Sequence, residues 1–138
     1  TGATTNNWAG YFAAGDVYIQ NNLGIGITTP GTSLHVAGAI SYSSTTRNYG
    51  GATGSLNISD EGYVRVSHST TLTISSFGAG STIGQTVIIE NAGTTTITIN
   101  DNTGVQIANN TSYIMRQNAT LSLIWNGTVW LETARGDN

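Results

Sequence analysis

Ala119-Thr120-Leu121-Ser122-Leu123-Ile124-Trp125-Asn126-Gly127-Thr128-Val129-Trp130-Leu131-Glu132 is the stretch whose reading decides the fold. Asn126-Gly127 sits between two apolar runs. Both residue types tolerate positive φ, so the pair predicts a hairpin closed by a two-residue type I′ turn. In that register Trp125 faces Thr128, Leu123 faces Trp130 and Leu121 faces Glu132 on one side. Ile124 faces Val129 and Ser122 faces Leu131 on the other. A hairpin in a simple two-layer domain keeps one face wet, whereas this one is apolar on both. One face is expected to pack on the chain's own core and the other on a second copy of the chain.

Upstream of the hairpin the same alternation repeats in short pieces. Leu56 and Ile58, Val64 and Val66, and Leu72 and Ile74 each alternate with polar residues. Thr86 to Glu90, Thr95 to Ile99, Val105 to Ala108 and Tyr113 to Met115 follow. Turn-forming clusters separate them: Asp60-Glu61-Gly62, Asn91-Ala92-Gly93, Asn100 to Gly104, and Asn109-Asn110. Short strands at this spacing predict an all-β domain, a β-sandwich or jelly-roll-like barrel, and no stretch reads as a helix. Ser44 to Gly54 reads as a loop or hinge, which divides the chain into an N-terminal part, 1–50, and a head, 51–138.

Composition narrows the class. Of 138 residues only 8% are charged, lysine is absent, and Thr, Ser, Asn and Gly carry the solubility. These are weak helix formers. With a net charge of −3 and four scattered arginines, there is no basic face for a phosphate backbone, so nucleic acid is excluded as a partner. No apolar run approaches the roughly 20 residues of a membrane span. Cysteine is absent, so no disulfide framework exists. A head of about 80 residues buries only some three-fifths of its unfolded surface. Without disulfide or metal, oligomerisation is the staple that remains. Three chains are expected to share an interior that one chain cannot enclose.

The N-terminal part is apolar yet broken by glycine. Trp8, Tyr11, Phe12, Val17, Tyr18, Ile19, Leu23, Ile25 and Ile27 alternate with Gly10, Gly15, Gly24, Gly26, Gly31 and Gly38. Such strands are too short to enclose a core alone and too apolar for a free linker. Asn21-Asn22-Leu23-Gly24-Ile25-Gly26-Ile27-Thr28-Thr29-Pro30, followed by Leu34-His35-Val36-Ala37-Gly38, resembles the connector found in phage tail-fibre and tailspike proteins. It departs from that pattern at Ile27 and at Thr32-Ser33. The strand-rich C-terminal part, ending in its tryptophan hairpin, is also similar to C-terminal β-domains of phage fibres and spikes. The resemblance implies a homotrimer: a short intertwined N-terminal β stalk, then the head, carried on the virion at a fibre or spike tip. It also implies attachment to a host-surface receptor, a glycan or protein. Relatives that end in a self-cleaving chaperone domain have no counterpart in this chain, so no protease activity is carried over.

No catalytic or metal constellation emerges, and no enzyme activity or cofactor is expected. Glycosidase chemistry needs two carboxylates flanking a cleft. Asp60 and Glu61 are neighbours that point to opposite faces, and Asp101 lies in a turn that uses its Asx hydrogen bonds. His35 and His68 lack partners at ligand spacing. Arg135-Gly136-Asp137 is an integrin-type tripeptide of the kind that recurs by chance. Aromatic faces beside amides and hydroxyls suit sugar recognition. Arg47, Asn48, Tyr49, Tyr63 and Phe77, near predicted turns, are the candidate receptor-binding residues. The expectation is a trimeric attachment head. A purely structural cap and a stand-alone carbohydrate-binding or adhesin module are the alternatives.

Overall fold

A computed structural model describes residues 14–58 and 60–137. The candidate stalk residues Trp8, Tyr11 and Phe12 lie outside the described residues. The chain divides into two compact units, the second beginning at Tyr42.

In the first unit, β1 (Leu23–Ile25) pairs in parallel with β2 (Leu34–Val36). The Leu23 N–H donates to Ser33 O at 2.8 Å and the Ala37 N–H to Ile25 O at 2.9 Å. His35 is half-buried and accepts the Gly31 N–H. None of residues 14–41 is buried. Val17, Tyr18, Ile19, Leu23, Ile25, Leu34 and Ile40 all stand exposed, Tyr18 at 86%. The glycines interrupt the strands before they can stack into layers.

The second unit is a sandwich. In chain order its strands are β3 (Ser44–Tyr49), β4 (Thr53–Leu56), β5 (Tyr63–His68), β6 (Leu72–Phe77), β7 (Thr86–Asn91), β8 (Ile97–Ile99), β9 (Val105–Gln106), β10 (Tyr113–Met115), β11 (Thr120–Trp125) and β12 (Trp130–Gly136). One sheet has the order β3-β5-β7-β11-β12-β9, the other β10-β8-β6-β4. From β3 to β8 successive strands alternate between sheets, and within each sheet they run parallel. The chain therefore coils, each strand serving as the crossover for the parallel pair in the opposite sheet. Ser44 pairs with Tyr63 and Thr53 with Thr73; Tyr63 then pairs with Ile88 and Leu72 with Ile97. The second turn of the coil is longer than the first in both sheets by the loop before β7. The β-sandwich class stands, but the jelly-roll topology does not: a jelly roll is antiparallel throughout, and here only β11 and the strands paired to it, with β8–β10, are antiparallel.

Period-two alternation builds the interior. Val64, Val66, Val87, Ile89, Leu121 and Leu123 from one sheet meet Leu72, Ile74, Ile97, Ile99, Tyr113 and Met115 from the other, all buried. This corrects the expectation that the head shares its interior with other chains. The sandwich owns a complete core, and every buried side-chain polar atom described has a hydrogen-bond partner. Ser44–Tyr49, expected as loop, is a strand; a boundary at 50 would separate β3 from β4. Its composition is polar because β3 is a sheet edge, half of whose residues face solvent. Its two threonines suit that half-wet strand.

The closing hairpin also differs from its predicted register. Trp125 pairs with Trp130, Ile124 with Leu131 and Leu123 with Glu132. The loop thus has four residues, Asn126 to Val129. Asn126 contributes its side chain rather than a positive φ: its Oδ1 accepts the Thr128 and Val129 N–H groups at 2.9 and 2.8 Å. Gly127 alone takes the left-handed conformation, with φ +99°. A slip of two residues preserves the faces, so the assignment of inward side chains survives. Trp130 is fully buried, donates its indole N–H to Gly78 O at 2.8 Å and lies 5.4 Å from Trp125, ring centre to ring centre. Trp130→Ala is expected to cost about 3–5 kcal/mol through the cavity and the orphaned Gly78 carbonyl. Denaturant melts at fixed chain concentration check this; a near-native midpoint would contradict it.

Candidate functional site

At one end of the β3–β5 pair the sandwich opens into a shallow cleft of about 360 Å³, lined by Asn48, Tyr49, Ser67, His68, Ser69, Ala92, Gly93 and Thr94. Parallel register sets Asn48 beside Ser67 and Tyr49 beside His68. The Ala92 N–H donates to Val66 O at 2.9 Å and draws the loop after β7 alongside.

His68 lines the cleft and bonds to Asn91; these are the two buried polar residues among those described. The Asn91 amide donates to Thr95 O at 2.8 Å and to Met115 O at 3.0 Å, while its Oδ1 accepts the Gly93 N–H at 3.0 Å. Those three bonds fix which way the amide points. His68 Nε2 lies 2.9 Å from that same Oδ1, and Nδ1 lies 2.7 Å from Thr70 O. Gly93 lies close against the imidazole: a Cβ there would come within 2.5 Å of the His68 ring. Only glycine permits that approach. Tyr49 packs its ring on Gly54 and donates its hydroxyl to Ser55 O at 2.7 Å. Burial raises its phenol pKa, with Arg47 opposing.

The rim is uncharged. Asn48, Ser67, Ser69 and Thr94 make no side-chain hydrogen bond among the described residues, so an amide and three hydroxyls remain available beside an aromatic ring. Such a surface offers neutral hydrogen-bonding groups and one aromatic ring, and no charge.

Of the five residues expected to bind, the structure brings two together here, Asn48 and Tyr49. Arg47 shares a face of β3 with Tyr49, two residues along, but its guanidinium is paired with Glu61 and it does not line the cleft. Phe77 ends β6 in the other sheet, packed partly on the core. Tyr63 begins β5, five residues from His68, or roughly 16 Å along the strand. There its hydroxyl donates to Glu90 Oε2, which also accepts the Arg65 Nε–H at 2.9 Å. Serines 67 and 69, His68 and Thr94 were not singled out as ligands. Their sequence signal, Gly93 in a turn, gives no hint that an imidazole lies beneath it.

The carboxylates are held elsewhere. Glu132 takes both arms of Arg135 at 2.5 Å and the Ala108 N–H at 2.8 Å. Burial pushes its pKa up, but these donors outweigh it and the carboxyl ends lower than usual. Arg135 also lies 4.3 Å over the Tyr113 ring, and Asp137 accepts the Tyr113 hydroxyl at 2.5 Å. The Arg135-Gly136-Asp137 tripeptide is thus tied into the sandwich edge. No group of three metal-ligating side chains occurs among the described residues.

The family model described as the phage depolymerase C-terminal beta sandwich domain matches residues 44–131, from the first residue of β3 into β12. The chain belongs to that family. It is a phage tail-appendage-type protein, and the sandwich carries the match. No curated protein and no solved structure matches it. None of its described helices is long and apolar enough to cross a membrane.

The Tyr63–Glu90–Arg65 cluster gives the family member a pH signature. Hydrogen bonds from Tyr63 and Arg65 hold the Glu90 carboxyl below its ordinary value of 4.5, against the effect of burial. A depressed carboxyl contributes stability that is complete above that ordinary value and is lost as pH falls through the folded-state value. Glu90→Gln is expected to lower the melting temperature at pH 7 and to flatten its fall between pH 4.5 and 3. Parallel pH profiles for the two proteins would contradict this.

Proposed function

We propose that this chain is the receptor-attachment part of a phage fibre or spike. In this reading it works as a homotrimer, engages a host-surface glycan in the cleft at the β3–β5 end, and has no catalytic activity of its own. The observation that carries the reading is the uncharged rim of Asn48, Ser67, Ser69 and Thr94 beside Tyr49. Membership in a phage tail family supplies the context. The exposed apolar residues between Val17 and Ile40 support assembly, because copies wrapping one another would cover them. A shallow site binds weakly, and three presented together gain avidity without new contacts. Absence of catalysis is supported by the commitment of Glu61, Glu90 and Glu132 to arginines.

A second reading, a stand-alone carbohydrate-binding module, has one observation in its favour: the sandwich encloses its own core. Both readings share the cleft, and one experiment addresses it. The full chain is applied to an array of bacterial surface polysaccharides beside Thr94→Arg, which fills the cleft. Binding reduced at least about tenfold in the variant is expected. Undiminished binding would place the receptor site elsewhere, and an array without signal would turn the reading toward a structural cap.

A further inference from the structure

The buried imidazole of His68 faces an oxygen at each ring nitrogen. Nε2 lies 2.9 Å from Asn91 Oδ1, and Nδ1 lies 2.7 Å from Thr70 O. Neither oxygen has a proton to give. Thr70 O is a backbone carbonyl, which only accepts. Asn91 presents its oxygen and not its amino group, because its Nδ2 donates to Thr95 O and Met115 O while Oδ1 accepts the Gly93 N–H. Turning that amide over would break all three bonds. A neutral imidazole has one donor and one lone pair. In either tautomer the lone pair would confront an acceptor oxygen. Only the doubly protonated ring donates to both. The Thr95 hydroxyl is farther from Nδ1, at 3.1 Å, and a hydroxyl accepts as readily as it donates.

The two acceptors belong to different loops. Thr70 lies in the connection from β5 to β6, and Asn91 ends β7 where the loop 92–95 begins. Ser69 on one side, and Ala92, Gly93 and Thr94 on the other, line the cleft. Burial opposes a charge on the ring, whereas hydrogen bonds to the charged form favour it. Bonds from an ionised donor are roughly twice as strong as neutral ones. Few other titratable groups stand near. Tyr49 is opposite on β3, its phenol kept protonated by burial. Arg47 on β3 is paired with Glu61, and Arg65 on β5 with Glu90. Arg116, next to Met115, is exposed. Residues 69–71 and 92–95 include no titratable side chain, and no carboxylate lines the cleft.

We propose that His68 is a protonation-dependent clasp on the cleft: as an imidazolium it ties the β5–β6 connection to the loop after β7, and loss of either ring proton releases one of them. The walls are held at lower pH and loosen as the ring titrates. The clasp acts whatever ligand the cleft takes, so it stands or falls apart from the glycan reading.

The chain has two histidines, and His35→Gln leaves His68 alone. In that full-length chain, nitrogen NMR near pH 6.5, where a free histidine is about half protonated, is expected to show the doubly protonated ring at least about tenfold more abundant than the neutral one. A neutral ring making up half or more would overturn the proposal. Hydrogen exchange, corrected for its intrinsic rise with pH, reads the loops through the bonded amides of Leu72, Ala92 and Gly93. Raising the pH from about 6 to about 9 is expected to cut the protection of at least one of them by about tenfold or more. Protection unchanged at all three would overturn the proposal, as would a response that persists in His68→Gln. Thr95→Val is expected to keep the response; its loss there would mean that the hydroxyl donates to a neutral ring, which also overturns the clasp. The nitrogen spectrum decides the matter if either variant fails to fold.

Discussion

Apolar surface that its own chain leaves uncovered is the constraint on which this molecule turns. Between Val17 and Ile40 seven large hydrophobic side chains are exposed and no residue is buried. At roughly 25 cal/mol per Å² such a surface does not persist in water without a partner or an aggregation liability. The sandwich is the opposite case. Its core is closed and its buried polar side chains are partnered. The two units thus differ: one encloses its own core, the other is a ribbon whose apolar side chains stay exposed in the single chain.

The scaffold's topology explains how a chain so poor in large residues encloses a core. By coiling from sheet to sheet, each short strand of three to six residues sets its inward side chains against the strand before and after it. Parallel pairs ordinarily need a crossover of a dozen or more residues; here the opposite sheet is the crossover. The antiparallel hairpin β11–β12 then joins β7 on one side and β9 on the other. Trp130 reaches across to Gly78 and bonds its carbonyl. The Glu132–Arg135–Tyr113–Asp137 cluster fastens the last strand of one sheet to the edge of the other.

Much of this was legible in the residues, for identifiable reasons. Alternation placed Val64, Val66, Leu72, Ile74, Ile97 and Ile99 inward, since a two-residue period reports faces directly. It does not report pairing partners. The coil went unseen because its turns differ in length and share no motif. The hairpin slipped by two because Asn126 has two uses, a positive φ or an Asx cap, and sequence does not distinguish them. β3 read as loop because an edge strand keeps few apolar residues. The site was legible only in part: Asn48 and Tyr49 stood out as a polar and an aromatic neighbour, whereas the His68–Asn91 pair under Gly93 joins residues 23 apart that only the fold brings together. Phe77 and Tyr63 fell among the candidates for their type and their nearness to turns, and packing assigns them elsewhere.

The central claim is that the ribbon is covered in the working assembly. Amide hydrogen exchange of the full chain, read by mass spectrometry over residues 23–36, tests it most directly. Two three-residue strands alone open freely and exchange at nearly the rate of unfolded chain. The account predicts protection there comparable to that of β7 and β11. Rapid exchange across 23–36, while the sandwich stays protected, would contradict it.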